Sequence, residues 1–400
     1  MENNQHSCPS SSLNQLQTER NLVNVTCESK KVKVSVVIPI YRESFILRKN
    51  IQVLLKQDLD KEIIVVIDEP TEKTKEEIEK VDGIKVVIHK ERVGKVNAIN
   101  EALSFCNGEV ILFLDGDVEL PDSNEFLRKV FEEIKGYDAL DIRKIIVRDS
   151  FLAKLIYYDY ASLNIFSWLS FKSTKKLITL NGAAFAIKKE VLLKLDGFNK
   201  MITEDIDLAI RLFMNGYKLK YSENIFVYCY THSSLRKWFK QRLRWAKGGA
   251  EIVAVYNKKL MLEIVKNFEV FFPFLVFLFP SFFSLIFYPL VPNSMIYGIS
   301  TTIILSAGYI QQSFISAIAL SWLKPTVTIS FIKGIMTMIV STLVFFVIFY
   351  ISSKKLGYNF SILEFLLFYF FYSFLSFTVA LIGFVEVLIM KKRNCENWKV

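Results

Sequence analysis

The chain has 400 residues, of which 52% are hydrophobic, and it carries a formal net charge of +10. Its five cysteines show no C-x-x-C spacing and it has only three histidines, which argues against a disulfide framework and a zinc site and leaves carboxylates as ligands for any metal. The basic residues concentrate beside apolar segments and no recognition motif is present, so we expect no nucleic-acid partner.

The first 31 residues are polar, rich in Ser, Asn and Gln, and contain no apolar core of a signal peptide. We expect residues 1–31 to be a disordered tail. The domain that follows is then expected to stay in the cytoplasm, where it is made.

Short apolar runs alternate with amphipathic stretches from residue 34 onward. The runs predict strands at 34–40, 62–67, 84–88, 110–114 and 139–147. The stretches predict helices at 43–57, 71–81, 92–106 and 122–134. This alternation is typical of right-handed βαβ units, so we expect an α/β fold around a mostly parallel sheet. No G-x-G-x-x-G or P-loop motif is present, which argues against dinucleotide-binding and P-loop proteins.

The apolar run at 110–114 ends abruptly in Asp115-Gly116-Asp117. A buried strand that delivers two carboxylates at its carboxyl end places charge where open α/β sheets bind ligands. Gly116 allows a sharp turn, so that both acids can face one point. A hard divalent cation holding phosphate oxygens suits that point. Taken alone, such a short motif is more often a solvated turn.

Other polar residues follow strand ends in the same way. Glu43 and Asp68 come after the first and second predicted strands. Because the carboxyl ends of parallel strands share one edge, we expect them to lie near Asp115 and Asp117. Lys95, near the start of the third helix, is placed to meet phosphate.

Three further segments precede the basic helix. Residues 150–171 are rich in aromatic residues and predict a helix, either lying on a membrane or along a groove, or an ordinary buried one. Residues 180–187 are mostly small, which suggests that bulk there would obstruct something. Thr203-Glu204-Asp205 opens a helix in which Thr203 could be the N-cap and the acids suit the first turn.

A strongly basic helix is predicted at 233–248. One face carries Leu235, Trp238, Phe239, Leu243, Trp245 and Ala246. The other face carries Arg236, Lys237, Lys240, Arg244 and Lys247, while Arg242 lies amid the apolar face. This pattern is typical of an interfacial helix on an anionic membrane, although such a role does not require the order Gln241-x-x-Arg244-Trp245.

The C-terminal part is apolar. Residues 270–323 contain no charged residue, which is long enough for two membrane spans of about 20 residues each, with a turn-like break at 291–294. Residues 334–353 and 365–385 predict two more spans. Lys391-Lys392-Arg393 agrees with a cytoplasmic C-terminus, whereas Lys354 and Lys355 fall in a predicted outer loop and count against it. We therefore expect a multi-pass protein of the cell membrane.

Several of these residues together resemble a known family. Asp68, Asp117, Asp205 and Gln241-x-x-Arg244-Trp245 match, in order, the D, D, D, QxxRW signature of membrane-bound family 2 glycosyltransferases, similar to cellulose, chitin and hyaluronan synthases and ceramide glucosyltransferases. The segments 34–41, 94–100 and 203–205 also look like features of this family.

The resemblance implies a GT-A fold and inverting transfer from a nucleotide-diphosphate sugar, a UDP- or GDP-sugar. It implies that Asp68 binds the nucleobase, that Asp115 and Asp117 serve the diphosphate and a divalent cation (Mg²⁺ or Mn²⁺), and that Asp205 is the general base beside Glu204. The implied remaining members of the donor site are Pro39, Tyr41, Glu43, Lys95, Gln241 and Arg244. Trp245 is implied to contact the acceptor sugar.

The expected organisation is a polar tail (1–31), a GT-A domain (32–231), an interfacial helix with its connector (232–266), four transmembrane helices (267–391) in the lipid bilayer and a cytoplasmic tail (392–400). The acceptor stays open between a growing polysaccharide and a lipid-linked acceptor glycosylated once. A non-catalytic export or scaffold component is the alternative from another class.

Overall fold

The computed structural model describes residues 32–284, 288–290, 292, 294 and 325–391. The predictions for the two tails and for residues 295–324 lie outside these ranges. The strands are β1 (Val34–Tyr41), β2 (Lys61–Asp68), β3 (Lys85–His89), β4 (Val110–Leu114), β5 (Val118–Glu119), β6 (Ala139–Ile146), β7 (Ala184–Lys188) and β8 (Leu219–Cys229).

The helices divide into those of the α/β domain and those that follow it. The first group is α1 (Leu47–Leu55), α2 (Glu72–Glu79), α3 (Lys95–Leu103), α4 (Phe126–Glu133), α5 (Phe151–Thr174), α6 (Lys189–Lys194) and α7 (Glu204–Met214). The second group is α8 (Leu235–Lys266), α9 (Phe268–Leu278), α10 (Pro325–Lys355) and α11 (Ile362–Ile389).

All strands join one sheet in the order β3-β2-β1-β4-β7-β6-β8-β5. The pairs β3-β2, β2-β1, β1-β4 and β6-β8 are parallel, whereas β7 is antiparallel to both its neighbours and β5 is antiparallel to β8. The prediction of an α/β fold is confirmed, with one mixed sheet at its centre. The parallel pairs β3-β2, β2-β1 and β1-β4 are those that βαβ alternation specifies, and every antiparallel pair includes β5 or β7.

Helix α3 begins three residues later than predicted, at Lys95. Gly94 precedes it with φ 86°, a left-handed conformation that ends the loop and starts the helix. The loop thus fixes where the first helical side chain, Lys95, emerges.

Helix α5 is an ordinary buried helix, one of the two possibilities that its sequence left open. The Ser162 hydroxyl donates to the Phe277 carbonyl of α9 at 2.6 Å, and the Asn164 amide donates to the Lys144 carbonyl of β6 at 2.9 Å. The helix therefore packs between the sheet and the C-terminal helices, which explains why aromatic residues cover it on several sides.

Two described helices, α10 and α11, are long and apolar enough to cross a membrane by length and composition. They contain the predicted spans at 334–353 and 365–385. In the region of the first predicted span, the described apolar helix is α9, which ends at Leu278 after 11 residues. The second predicted span lies mostly outside the described residues, so two helices do not by themselves support the multi-pass topology.

The turn between α10 and α11 rests on the α/β domain. Arg143 donates to the Leu356 carbonyl at 2.7 Å, and the Tyr158 hydroxyl accepts from the Ser361 amide at 2.7 Å. The prediction of an outer loop for Lys354 and Lys355 is therefore wrong, because the residues that follow them are hydrogen-bonded to the α/β domain.

Helix α8 continues well past the predicted end at residue 248, with a kink at Asn257, whose φ is 31°. Its apolar face is covered by protein over most of its first half. Trp238 packs against Tyr372 and is only 1% exposed. Ala246 packs closely on Gly383, since a Cβ added at Gly383 would lie 2.5 Å from the Cβ of Ala246. Within this first half, the first turns, with Leu235 and Phe239, expose apolar side chains beside basic ones.

Helix α8 also approaches α7 closely at Gly248. A Cβ added at Gly248 would lie 2.4 Å from Cγ2 of Thr203. This contact sets the distance between α8 and the acids of Glu204 and Asp205.

We expect Gly248→Ala to lower the free energy of unfolding by about 1–3 kcal/mol, because the methyl group overpacks the contact with Thr203. Thermal unfolding of the detergent-solubilised chain measures this. Gly334→Ala is the matched control, since no atom lies within 4 Å of a Cβ at that helical position. Equal melting temperatures for the two variants would contradict the prediction.

Candidate active site

Three predicted site residues from distant segments meet in one ion-pair cluster. The Lys95 ammonium, at the start of α3, lies 2.7 Å from Oδ1 of Asp115 after β4 and 2.8 Å from Oε1 of Glu204 in α7. Pro39 of β1 and Asp205 line the same cleft. The structure therefore brings the Asp115 turn, Lys95 and the acids of α7 together at the edge where β4 ends.

The cluster shifts the protonation of its own members. Desolvation in the cleft lowers the pKa of Lys95, but the carboxylates of Asp115 and Glu204 outweigh it and the net pKa is raised. Desolvation raises the pKa of Glu204, but Lys95 outweighs it and the net pKa is lowered. Both groups are therefore charged across the physiological pH range.

Asp205 is held by two backbone amides. Its carboxylate accepts from Gly182 N at 2.8 Å and from Ile206 N at 2.9 Å. A Cβ at position 182 would lie 2.8 Å from Oδ2 of Asp205, which is the obstruction that the run of small residues suggested. Thr203 occupies the N-cap position, but its side chain does not cap the helix, so the capping suggested for it is wrong.

Two carboxyl groups keep raised pKa values. Desolvation and the neighbouring Glu204 raise the pKa of Asp205 to about 6. Desolvation by the cleft walls and the charge of Asp115 raise the pKa of Asp117 to about 6, although its side chain remains open to solvent. Raised values of this kind are typical of functional sites.

The Asp115-Gly116-Asp117 turn is fixed by residues that sequence reasoning did not single out. The Ser44 hydroxyl donates to the Gly116 carbonyl. The buried amide of Asn50 donates to the Val118 carbonyl at 2.6 Å and accepts from Leu120 N at 2.9 Å. The sequence could have indicated this contact, because Asn50 is a polar residue on the apolar side of a predicted helix.

The acids of this turn fit a divalent cation. Within the described ranges no cluster of three or more His, Cys, Asp or Glu side chains could enclose an ion. Asp115 and Asp117 supply two carboxylates whose mutual repulsion helps to raise the pKa of Asp117, which a cation would relieve. A hard cation such as Mg²⁺ is commonly held by one or two carboxylates together with phosphate oxygens and water.

Asp68 lies apart from this cluster, at the end of β2, with both oxygens engaged. Oδ1 is 2.8 Å from Nδ1 of His89, and Oδ2 accepts from Gly94 N at 2.8 Å. Sequence reasoning missed His89, although the parallel register of β2 and β3 makes it the strand neighbour of Asp68. These bonds fix the loop that leads to Lys95.

The residues after β1 form the outer part of the site. The Tyr41 hydroxyl donates to Glu69 at 3.0 Å, and the Arg92 guanidinium lies 4.3 Å from the Tyr41 ring centroid. Glu43 is exposed on the turn that follows. The structure does not bring Tyr41 or Glu43 into the ion-pair cluster.

Helix α8 presents its motif to the cleft. The positive charge of Arg244 partly offsets the raised pKa of Asp117 and adds to the lowering of the pKa of Glu204. Arg244 therefore lies near both carboxyl groups. Among the described residues, neither Arg244 nor Gln241 has a side-chain hydrogen bond. The Trp245 ring lies 6.5 Å from the Tyr160 ring. Arg244 is therefore free to bind an anion, and Trp245 offers an aromatic surface nearby.

We expect Lys95→Met to destabilise the protein by about 1–2 kcal/mol at pH 8, which is less than the 3–5 kcal/mol of a fully buried pair because the Lys95 side chain is 38% exposed. Lys95 lowers the pKa of Glu204, Asp117 and Asp205, so its loss raises all three. Protonation of these carboxyl groups then relieves the repulsion among them. The loss of stability caused by Lys95→Met therefore becomes smaller as the pH falls to 5.5.

Melting temperatures at the two pH values measure this difference. Lys49→Met is the control, because Lys49 pairs with Glu119 next to the site but is 57% exposed. A penalty for Lys95→Met that does not depend on pH would contradict the prediction.

Comparisons with known proteins show what the chain is similar to. Residues 35–195 match the family model described as glycosyl transferase family 2. The chain is 27% identical over 288 residues to the probable glycosyltransferase YdaM of Bacillus subtilis, which covers 65% of this chain and 67% of the relative. It is 28% identical over 261 residues to a poly-beta-1,6-N-acetyl-D-glucosamine synthase of Staphylococcus epidermidis, which covers 61% and 63%.

Among solved structures, a mannosyltransferase from Pyrobaculum calidifontis in complex with GDP-Man and Mn²⁺ is 19% identical, with a TM-score of 0.45 over 79% of this chain and 87% of that one. The chain spans about two thirds or less of the length of the curated relatives that it matches. Residues 35–195 of the chain therefore match a glycosyl transferase family 2 domain.

Proposed function

We propose that this chain is an inverting glycosyltransferase that moves a sugar from a nucleotide-diphosphate donor to a saccharide acceptor. The observation that carries the proposal is the cluster of Lys95 with Asp115 and Glu204, at 2.7 and 2.8 Å, beside Asp205. One cleft thus combines cationic groups for a diphosphate with a separately held carboxylate for a base.

Asp205 is suited to take the proton of the attacking hydroxyl. Two backbone N–H groups fix its carboxylate, and a pKa of about 6 leaves it ionised at pH 7 yet more basic than an ordinary Asp. As the acceptor oxygen bonds to the anomeric carbon, its proton passes to Asp205 and the bond to the diphosphate oxygen breaks. Glu204 supports this step indirectly, because its pairing with Lys95 fixes that ammonium.

Positive charge is available for the departing diphosphate. Lys95 and Arg244 lie on the side of the cleft where Asp117 is found. A Mg²⁺ or Mn²⁺ ion held by Asp117 with Asp115 would stabilise the charge that develops on the leaving group. In this arrangement the exposed Tyr41 and the buried Asp68, which also fixes the loop before Lys95, are left for the nucleoside of a UDP- or GDP-sugar.

A growing polysaccharide is our first choice of acceptor. The name of the staphylococcal relative, a poly-beta-1,6-N-acetyl-D-glucosamine synthase, supports it, and the Trp245 and Tyr160 rings offer apolar faces suited to sugars. Single transfer to a lipid-linked acceptor is the second candidate, because α10 and α11 would anchor the site at a bilayer. We place the enzyme at the cell membrane with the α/β domain on the cytoplasmic side.

A non-catalytic scaffold would have little use for this cleft. Carboxyl groups with raised pKa values, such as Asp117 and Asp205, reduce stability at neutral pH. Without a ligand or a reaction to select for them, substitutions that remove the repulsion would stabilise the fold.

We expect Asp205→Asn to lower the transfer rate by about 10²–10⁴-fold while leaving donor binding unchanged, because the amide cannot accept the proton. The assay uses membranes of cells expressing the chain, with radiolabelled UDP-N-acetylglucosamine, UDP-glucose and GDP-mannose as donors. Asp82→Asn, at an exposed position, is the control.

The product distinguishes the two acceptors in that assay. Label in a polymer of high mass supports the polysaccharide, whereas label that organic solvent extracts supports a lipid acceptor. Full turnover of a donor by the Asp205→Asn protein would refute the assignment of the base.

We expect kcat/KM to fall about tenfold per pH unit below pH 6, since Asp205 must be ionised to accept a proton and its pKa is about 6. Asp117 loses its charge over the same range, so the assay contains saturating Mn²⁺, which competes with that proton. Donor binding at each pH serves as the control. A rate that stays constant between pH 5 and pH 7.5 would be incompatible with Asp205 as the base.

A further inference from the structure

A buried ion pair lies directly behind the Gln241-x-x-Arg244-Trp245 motif. Nη2 of Arg242, in α8, is 2.6 Å from Oδ2 of Asp159, in α5, and the two side chains are only 7% and 4% exposed. Burying two charges costs several kcal/mol per ion before their attraction offsets it, and apolar residues of similar volume are often at least as stabilising. Stability alone therefore gives no reason for charges at these two positions.

One member of the pair, Arg242, contacts the Trp245 ring, and the residue that follows the other member lies beside that ring. The Arg242 guanidinium carbon lies 4.6 Å from the Trp245 ring centroid, in cation–π contact. Tyr160, which follows Asp159 in α5, places its own ring 6.5 Å from that of Trp245 at an interplanar angle of 59°. The indole is thus held between a guanidinium that a carboxylate fixes and a tyrosine from the same helix as that carboxylate.

The pair is also tied to α11. The Tyr372 hydroxyl accepts from Nε1 of Trp238 at 3.0 Å and lies 3.5 Å from Oδ2 of Asp159. The Arg242 guanidinium is 5.8 Å from the Tyr372 ring centroid. The apolar C-terminal helix therefore contacts the same carboxylate that fixes Arg242.

We propose that Asp159 and Arg242 are positioning residues that set the orientation of Trp245 for the acceptor sugar, with Tyr372 linking this pair to α11. The inference rests on the proposed function, in which Trp245 faces the acceptor. A planar guanidinium locked by a carboxylate has few rotational states, so it passes a defined orientation to the ring that it covers. Small misplacements of a contact to a reactant reduce rates strongly.

Three variants separate orientation from charge and from stability. Arg242→Lys keeps the charge but loses the planar group. Asp159→Asn keeps the shape but releases the guanidinium. The double variant Asp159→Leu with Arg242→Met removes both charges together, so it should fold without an unpaired buried ion. Arg148→Gln is the control, because Arg148 also joins the α/β domain to α11, through Glu364 at 2.5 Å, without contacting α8.

The first measurement is independent of turnover. The full chain in detergent is labelled with 5-fluorotryptophan, and the resonance of Trp245 is assigned from Trp245→Phe. We expect this fluorine resonance to move and broaden in all three variants but not in Arg148→Gln, with the Trp168 resonance constant throughout. An unchanged Trp245 resonance in Arg242→Lys and in the double variant would overturn the inference.

The second measurement uses UDP-N-acetylglucosamine and a tetramer of β-1,6-linked N-acetylglucosamine. We expect KM for the tetramer to rise about tenfold in Arg242→Lys and the double variant, with KM for the donor within about twofold of the wild type. Wild-type acceptor KM in the double variant would show that the pair is only structural. If the wild type turns over no donor, the proposed function fails, whereas the fluorine resonance still decides whether the pair holds Trp245.

Discussion

The edge of the sheet where β4 ends concentrates four carboxylates, those of Asp115, Asp117, Glu204 and Asp205, around the ammonium of Lys95. Within the described part of the chain, Lys95 pairs directly with Asp115 and Glu204, so Asp117 and Asp205 are neutralised less and keep a pKa of about 6. The cluster therefore has a paired part that gives it a fixed shape and a less compensated part that is available for chemistry. In the proposed function the two less compensated acids have different roles, Asp117 at the donor and Asp205 as the base.

The division depends on close approaches that only small residues permit. At Gly182 the backbone N–H comes within 2.8 Å of Asp205, and at Gly248 α8 comes against Thr203. Later turns of α8 secure the same segment, since Glu251 accepts from Ile202 N at 3.0 Å and the Tyr256 hydroxyl donates to Asp207 at 2.6 Å. Helix α8 thus holds α7 in place and also carries Arg244 to the cleft, which couples the position of Asp205 to that of Arg244.

Local patterns in the sequence predicted the parallel half of the sheet and put Asp115 and Lys95 on the same edge, because βαβ alternation places strand ends and helix starts there. They did not predict β8, whose residues 222–225 fall opposite a register shift in β6 and interrupt the alternation of apolar and polar residues. Nor could they pair Arg242 with Asp159, since the two residues lie on helices whose packing depends on distant contacts. The fixed position of Asp68 was hidden for a similar reason, as its partner His89 is adjacent only through strand register.

The amphipathic pattern of α8 shows why such a pattern does not specify what covers it. An apolar face with basic residues opposite suits an anionic bilayer, but Trp238 and Ala246 are covered by Tyr372 and Gly383 of α11. The face of α11 that is turned away from α8 exposes Phe371 and Phe374, at 70% and 58%. Burying that second face requires an apolar surrounding, because exposed aromatic residues in such number are costly in water. The apolar face of α8 is therefore buried by α11, and the exposed apolar side chains of α11, together with those of α10, are the ones that a membrane would cover.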